Sequence, residues 1–211
     1  ENIPIGYYVD IHVPRQSDVD LDKLHYLLKI NQARALTVRE EWFRSRQPTC
    51  MGLLYWQLND CWPGAMSWSA VDGDGRPKPL WFATRRFYAP RLLTIQPLQD
   101  KLELCAVNDS DEPWNAPAEL FIDDMDGTRQ PARRVELNVP PRSVQRVPLG
   151  EANILRPIVA RQYLVAQAGN QRAMWYYLPD KELQFCKPAF SAEVAHTPGL
   201  TKLTLAAQSL L

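Results

Sequence analysis

The feature that most constrains the fold begins after Pro90, where seven short segments with partial alternation of apolar and polar residues follow one another closely. They are Leu92–Gln96, Lys101–Val107, Ala118–Asp123, Arg133–Val139, Ser143–Leu149, Gln162–Gln167 and Arg172–Leu178. A two-residue period sends successive side chains to opposite faces of a strand, so such segments bury one face and wet the other. Turn chemistry separates them at Asn108-Asp109-Ser110, Asp126-Gly127, Pro140-Pro141 and Gly169-Asn170. About seven strands over some 90 residues predict an antiparallel two-sheet sandwich.

Strand number and spacing fit the immunoglobulin type, although the antibody Cys–Trp–Cys spacing is absent. Trp114, Trp175, Tyr176 and Tyr177 are read as inner-face packing in preference to an exposed, sugar-binding aromatic row. A linker around Leu178–Phe190, with Pro179 and Pro188, leads to two more strand-like pieces near Ala192–His196 and Lys202–Ala207. Two strands bury no core of their own. Together with a first residue that is not Met, this suggests a piece of a longer polypeptide.

The first ninety residues have a different texture. Residues 1–16 read as irregular, with a short β-branched piece at Tyr7–Val13. Ser17-Asp18-Val19-Asp20 then offers a helix N-cap. Leu21, Leu24, Leu28, Asn31, Ala35, Val38 and Trp42 recur at steps of three and four and predict one buried stripe, with Lys29, Arg34 and Arg39 off it. Arg44 and Arg46 suit the negative end of that helix, and Pro48 ends it. An apolar run at about 51–58 reads as a buried strand, being too short for a helix and stopped by Pro63-Gly64. Asp72-Gly73-Asp74-Gly75 is a turn by composition. A second helix fits 78–88, with Pro79 in its first turn and Leu80, Ala83 and Phe87 on one face. Helix, strand, helix suits an α/β unit with a parallel sheet.

Charge narrows the functional classes. Lys plus Arg equals Asp plus Glu at 24 each, so the usual electrostatic case for nucleic acid or an anionic membrane surface is missing. No apolar run approaches spanning length. Cys50, Cys61, Cys105 and Cys186 show no metal spacing and are read as small buried thiols, with no pairing favoured. His12, His25 and His196 are scattered, and no nucleophile elbow or phosphate loop occurs. No cofactor or metal is expected.

What remains is Gly52-Leu53-Leu54-Tyr55-Trp56-Gln57-Leu58-Asn59-Asp60-Cys61-Trp62-Pro63, followed by Ser67-Trp68-Ser69. Three Trp within thirteen residues, beside Gln, Asn and Asp, suit a sugar site better than a plain core. Indole faces stack on sugar C–H faces, and short polar groups pair with hydroxyls.

This run, with Gly75-Arg76, Lys78-Pro79-Leu80 and Arg85-Arg86-Phe87-Tyr88-Ala89-Pro90, resembles the β-mannosidases of glycoside hydrolase family 2. Family members carry a (β/α)8 barrel followed by two sandwiches. The resemblance therefore implies an α+β multi-domain fragment. Residues 1–90 would be the last helix–strand–helix of the catalytic barrel, 91–180 an immunoglobulin-like β-sandwich, and 181–211 the first strands of a second sandwich. Strand 52–58 would then be the eighth barrel strand, with Trp56 to Asp60 at the mouth where barrel sites lie.

The resemblance implies that Trp56 is a wall of the bond-cleaving subsite, and makes Asn59, Asp60 and Trp62 further substrate-binding candidates. Asp60 either bonds the sugar, or caps a turn or holds a neighbouring Arg. Trp62 either lines the rim or packs beneath the loop, and Trp68 is read as support. The Pro63–Ser67 segment is one residue longer than usual in the family, which leaves the aim of Trp68 open.

The implied activity is a retaining exo-β-mannosidase releasing terminal β-linked mannose from oligosaccharides. Retaining enzymes use two carboxyl groups about 5–5.5 Å apart. The family's two Glu motifs do not occur here, so no catalytic residue is expected in this chain and it is expected to be inactive alone. Glu40 and Glu41 read as solvated or salt-bridged. The family's exo-β-glucosaminidase branch is the near alternative, though it typically carries Asn where this chain has Asp60. A non-catalytic sandwich module is the alternative of another class. Implied partners are an oligosaccharide with terminal β-mannose and the rest of the same polypeptide, without nucleic acid or membrane. A periplasmic, secreted or lysosomal setting is implied over a cytoplasmic one.

Overall fold

A computed structural model describes residues 7, 9–13, 20–64, 67–151, 158–207 and 209–210. Its larger part is the expected sandwich. Seven strands form: β1 (Arg91–Leu98), β2 (Lys101–Asn108), β3 (Trp114–Asp124), β4 (Arg129–Val139), β5 (Ser143–Glu151), β6 (Gln162–Ala168) and β7 (Gln171–Tyr176). Every pairing among them is antiparallel, in sheets of order β1-β2-β5 and β4-β3-β6-β7. The alternating residues meet between the sheets: Leu93, Ile95, Leu102, Leu104 and Ala106 from one, Leu120, Ile122, Leu137, Val139 and Leu164 from the other. Trp114 is buried in this core, and Trp175 and Tyr177 pack against it. Tyr176 stacks on Tyr163 outside it, with ring centroids 5.2 Å apart.

Strands β1 and β2 are buried almost along their whole length, because their second face is also covered. The cover is helical. Helix α1 (Leu21–Arg44) and helix α2 (Pro79–Phe87) lie against each other, sharing a small core of Ala33, Ala70, Leu80 and Phe87. Outward-facing polar residues of the three-stranded sheet are thereby buried and must be paired. Thr94 donates to Glu41 at 2.6 Å, and Arg46 bridges Glu103 at 3.0 Å. Arg146 donates to the Ser45 carbonyl just past α1. Arg44 bonds the carbonyls of Phe87 and Ala89 and the Asp109 carboxylate. Glu40 and Glu41 are thus buried, not solvated. Burial pushes both carboxyls up; Tyr88 and Thr94, respectively, pull back. Burial also pushes the Cys105 thiol up to about 12. Cys61, by contrast, is exposed.

Helix α1 starts where a cap was expected, with Asp20 accepting from the Lys23 N–H at 2.8 Å; Ser17 to Val19 lie outside the described residues. Its buried face is not the predicted stripe. Leu21, Val38 and Trp42 are exposed, while Lys29, Ala33, Glu40 and Glu41 are buried. At about 100° per residue, Lys29, Ala33, Leu36 and Glu40 share one face, and the apolar stripe lies on the other side. The residues that touch the rest of the chain are Ala33 and Leu36 together with polar ones that have specific partners. The Tyr7–Val13 piece is also helical where described, with the Val13 N–H on the Val9 carbonyl.

The expected strand at 51–58 does not form. The described chain places no strand beside it, and a lone extended segment has no ladder to join. Leu54 is 89% exposed, against the buried run that its composition suggested. Beyond the sandwich, residues 178–190 cross the outer face of the four-stranded sheet, where Leu183 packs with Met125, Tyr163 and Val165. Asp180 ion-pairs with Arg34 of α1. Strands β8 (Phe190–Thr197) and β9 (Leu200–Ala207) make the expected hairpin, exposed throughout.

Candidate functional site

Residues 58–60, 70–72 and 76–78 are joined by short backbone stitches. Asn59 and Val71 form a parallel bridge, and Val71 and Pro77 an antiparallel one. Asp60 N–H reaches the Val71 carbonyl at 3.0 Å, and Val71 N–H reaches Leu58 at 2.9 Å. Lys78 N–H then bonds the Ala70 carbonyl at 2.9 Å. The 72–76 turn is closed by the Asp72 carboxylate, which accepts from the N–H groups of Asp74 and Arg76, and Gly75 supplies the positive φ of 83°. The Trp56–Gln57 peptide bond is cis.

Beneath these stitches lies a compact polar cluster. The Lys78 ammonium donates to Asp60 Oδ2 at 2.7 Å, Ser67 Oγ at 2.7 Å and Ser69 Oγ at 2.6 Å. The Ser67 hydroxyl in turn donates to Asp60 Oδ2 at 2.7 Å, and Ser69 donates to the Val71 carbonyl at 2.9 Å. Lys29 reaches in from α1 and donates to the Ser67 carbonyl at 3.0 Å. Every hydroxyl has both an incoming and an outgoing bond, which is what buried polar networks require. The Lys78 hydrogen bond, aided by Ser67, holds the Asp60 carboxyl well below its usual range, at about 2. Burial, with Lys78 as a like-charged neighbour, lowers Lys29 to about 8.

The four sequence candidates sort by direction. Trp56 is 75% exposed and Trp62 is 71% exposed. Asn59 is exposed as well, its amide on the Asp60 carbonyl at 3.2 Å. Asp60 alone turns inward, its side chain only 8% exposed. Trp68 stands out with Trp56 and Trp62. The outer surface is therefore indole and amide, and the inner surface is an ion pair with two hydroxyls.

Sequence reasoning missed Lys29, Ser67, Ser69 and Lys78 as a group. Lys78 carried a signal: it is the N-cap of α2, with no side-chain cap bond. A cation is disfavoured at that positive helix end, so a Lys there calls for a nearby anion. Gly73 was missed too. A Cβ there would lie 2.9 Å from the Trp62 carbonyl carbon and oxygen, so the turn backbone seats the Trp62 backbone directly. Among the described residues no group of three or more His, Cys, Asp or Glu is placed to hold a metal, and no helix is long and apolar enough to cross a membrane.

No family model matches the chain. β-Mannosidase B of Aspergillus niger is 30% identical over 154 residues, which is 64% of this chain and 17% of that protein. β-Mannosidase B of Aspergillus flavus is 41% identical over 76 residues, 34% of this chain and 9% of that protein. The crystal structure of a β-D-mannosidase from Dictyoglomus thermophilum matches with a TM-score of 0.84 at 25% identity, over 97% of this chain and 26% of that one. An Amycolatopsis orientalis exo-chitosanase, in complex with PNP-β-D-glucosamine, matches in fold with a TM-score of 0.66 at 17% identity, over 97% of this chain and 28% of that one. The chain spans no more than 28% of any of these proteins.

Proposed function

We propose, for a chain that belongs with the β-mannosidases of glycoside hydrolase family 2, that it supplies one wall of the sugar subsite in a retaining exo-β-mannosidase. The enzyme releases terminal β-linked mannose from oligosaccharides. The observation that carries this reading is the exposure of Trp56 and Trp62 on a segment whose inner side is pinned by Asp60 and Lys78. Large indoles held out into solvent by a closed polar network suit stacking on a sugar face. Trp56 is the wall, and Asn59 and Trp62 line its rim. Asp60 belongs to the site through its backbone and its inward anchor.

Residues 1–90 form the C-terminal segment of a (β/α)8 catalytic barrel in this reading, with 91–180 an immunoglobulin-like sandwich and 181–211 the first strands of a second. Two observations support it. The segment 52–58 has the composition of a strand yet joins no sheet among the described residues, as a barrel strand would without its neighbours. The apolar stripe of α1 is exposed, as it would be if other parts of the polypeptide cover it. The two catalytic carboxyl groups then come from elsewhere in the same polypeptide, because Glu40, Glu41 and Glu103 lie in the contact with the sandwich or beneath it. The 211-residue chain alone therefore turns over no aryl β-mannoside.

The exo-β-glucosaminidase alternative is disfavoured by Asp60, where that branch typically carries Asn. A sugar-binding sandwich is disfavoured by the packing of Trp114, Trp175 and Tyr177. The test compares release from aryl β-mannoside and aryl β-glucosaminide by a polypeptide carrying this chain together with the upstream region its relatives possess. Faster release from the mannoside is expected. A preference for glucosaminide, or turnover by the chain alone, would sink the reading.

A further inference from the structure

We propose that Lys78 is the positioning residue of the tryptophan wall, drawing the Asp60 carboxylate inward and so fixing the loop that presents Trp56 and Trp62. The inference rests on the wall reading above and deepens it, because it assigns Asp60 to holding the wall and not to gripping the sugar.

Three observations carry it. An ammonium has three donors, and Lys78 spends all three on Asp60, Ser67 and Ser69 at 2.6–2.7 Å. A side chain so fully engaged holds one position, and it holds residues 60, 67 and 69 together. Next, Lys78 opens α2, whose Leu80 and Phe87 are wholly buried against Ala33 and Ala70. The anchor is therefore attached to a packed element, and the loop inherits its rigidity. Finally, the loop meets the turn through Gly73, whose missing side chain lets the Trp62 backbone sit against it. Asp60 at one end and Gly73 at the other leave Trp62 little freedom to swing.

The arrangement has an energetic logic. A buried ion pair brings little net stability relative to apolar residues, but removing one partner strands the other charge. A pair retained under an exposed aromatic surface is thus better explained by geometry than by stability. Misplacing a binding group by about 1 Å costs on the order of 100-fold in rate.

The test is a double-mutant cycle in the polypeptide that carries this chain with its upstream region, assayed on an aryl β-mannoside. Lys78→Met and Asp60→Asn are each expected to lower kcat/KM by roughly 10- to 100-fold. The double variant is expected to match the worse single one, since both act through one bond. Losses that multiply in the double variant would make Asp60 a direct sugar ligand and overturn the proposal. Ser69→Ala, which leaves the ion pair, covers the case in which Lys78→Met fails to fold. It should raise KM several-fold in the folded protein, beyond the modest drop in melting temperature that the lost hydroxyl brings, and an unchanged kcat/KM would count against the proposal. Trp56→Ala separates the two readings. If it leaves the rate intact, the wall reading fails; if it abolishes activity while Lys78→Met leaves kcat/KM unchanged, only the positioning proposal fails.

Discussion

The sandwich and the tryptophan segment are both built from short apolar runs, and they end up in opposite environments. Leu93, Leu104 and Leu164 are sealed between two sheets, whereas Leu54, Trp56 and Leu58 stand in solvent. Nothing in side-chain character separates the two sets. The difference lies in the neighbours. Each sandwich strand has at least one antiparallel partner among the seven, while the described chain offers 51–58 no flanking strand. A strand's burial belongs to the sheet, not to the segment. Helix α1 teaches the same lesson, with its predicted stripe uncovered and its contacts made through Lys29, Ala33, Glu40 and Glu41.

This contrast is open to measurement. The largest effect should come from the sandwich core: Leu104→Ala, at a position without solvent access, should lower the unfolding free energy by about 2–5 kcal/mol. Its counterpart Leu54→Ala should change stability by no more than about 0.5 kcal/mol. Chemical denaturation of the 211-residue chain reads both, and equal losses would break the comparison.

A smaller effect is expected from the polar cluster under the tryptophans, and its sign follows from two shifted groups. Asp60 titrates near 2 in the folded chain, below the ordinary carboxylate value, so its contribution is present above about pH 4 and disappears as the pH falls toward 2. Lys29 titrates near 8, below its ordinary value of 10.5. Above pH 8 the folded chain has released a proton that the unfolded chain keeps, so stability should rise with pH through that window. Tyr88 and Tyr177, pushed up to about 12, oppose this once unfolded tyrosines ionise near pH 10. Melting temperatures between pH 8 and 9 should therefore climb in the native sequence, before the Cys105 thiol, pushed up to about 12, cancels the rise as unfolded thiols ionise from about pH 8.5. They should stay flatter in Lys29→Met, and an identical slope in that variant would remove Lys29 from the account.

The parts that were legible in the sequence are those in which local pattern and final environment agree. All seven sandwich strands, helix α2 and the Asp72–Gly75 turn follow from two-residue alternation, a Pro in the first helical turn and turn chemistry. The aromatic and amide residues of the candidate site were legible as well, because Trp, Asn and Gln so close together are costly in a plain core. The support beneath them was not. Lys78 meets Asp60 across eighteen residues, and Lys29 meets Ser67 across thirty-eight, distances at which spacing carries no signal. Glu40 and Glu41 looked like surface charges for the same reason: their partners Tyr88 and Thr94 lie in a later helix end and a later strand.

The most direct test of the central claim sets one tryptophan of each region against the other. Fluorine-labelled tryptophan, incorporated into a polypeptide carrying this chain with its upstream region, gives a separate resonance for Trp56 and for Trp114. On saturation with a mannose-configured inhibitor, the Trp56 resonance should shift and the Trp114 resonance, buried in the sandwich core, should not. A Trp56 resonance that stays in place while the inhibitor binds would contradict the assignment of this segment as a wall of the sugar site.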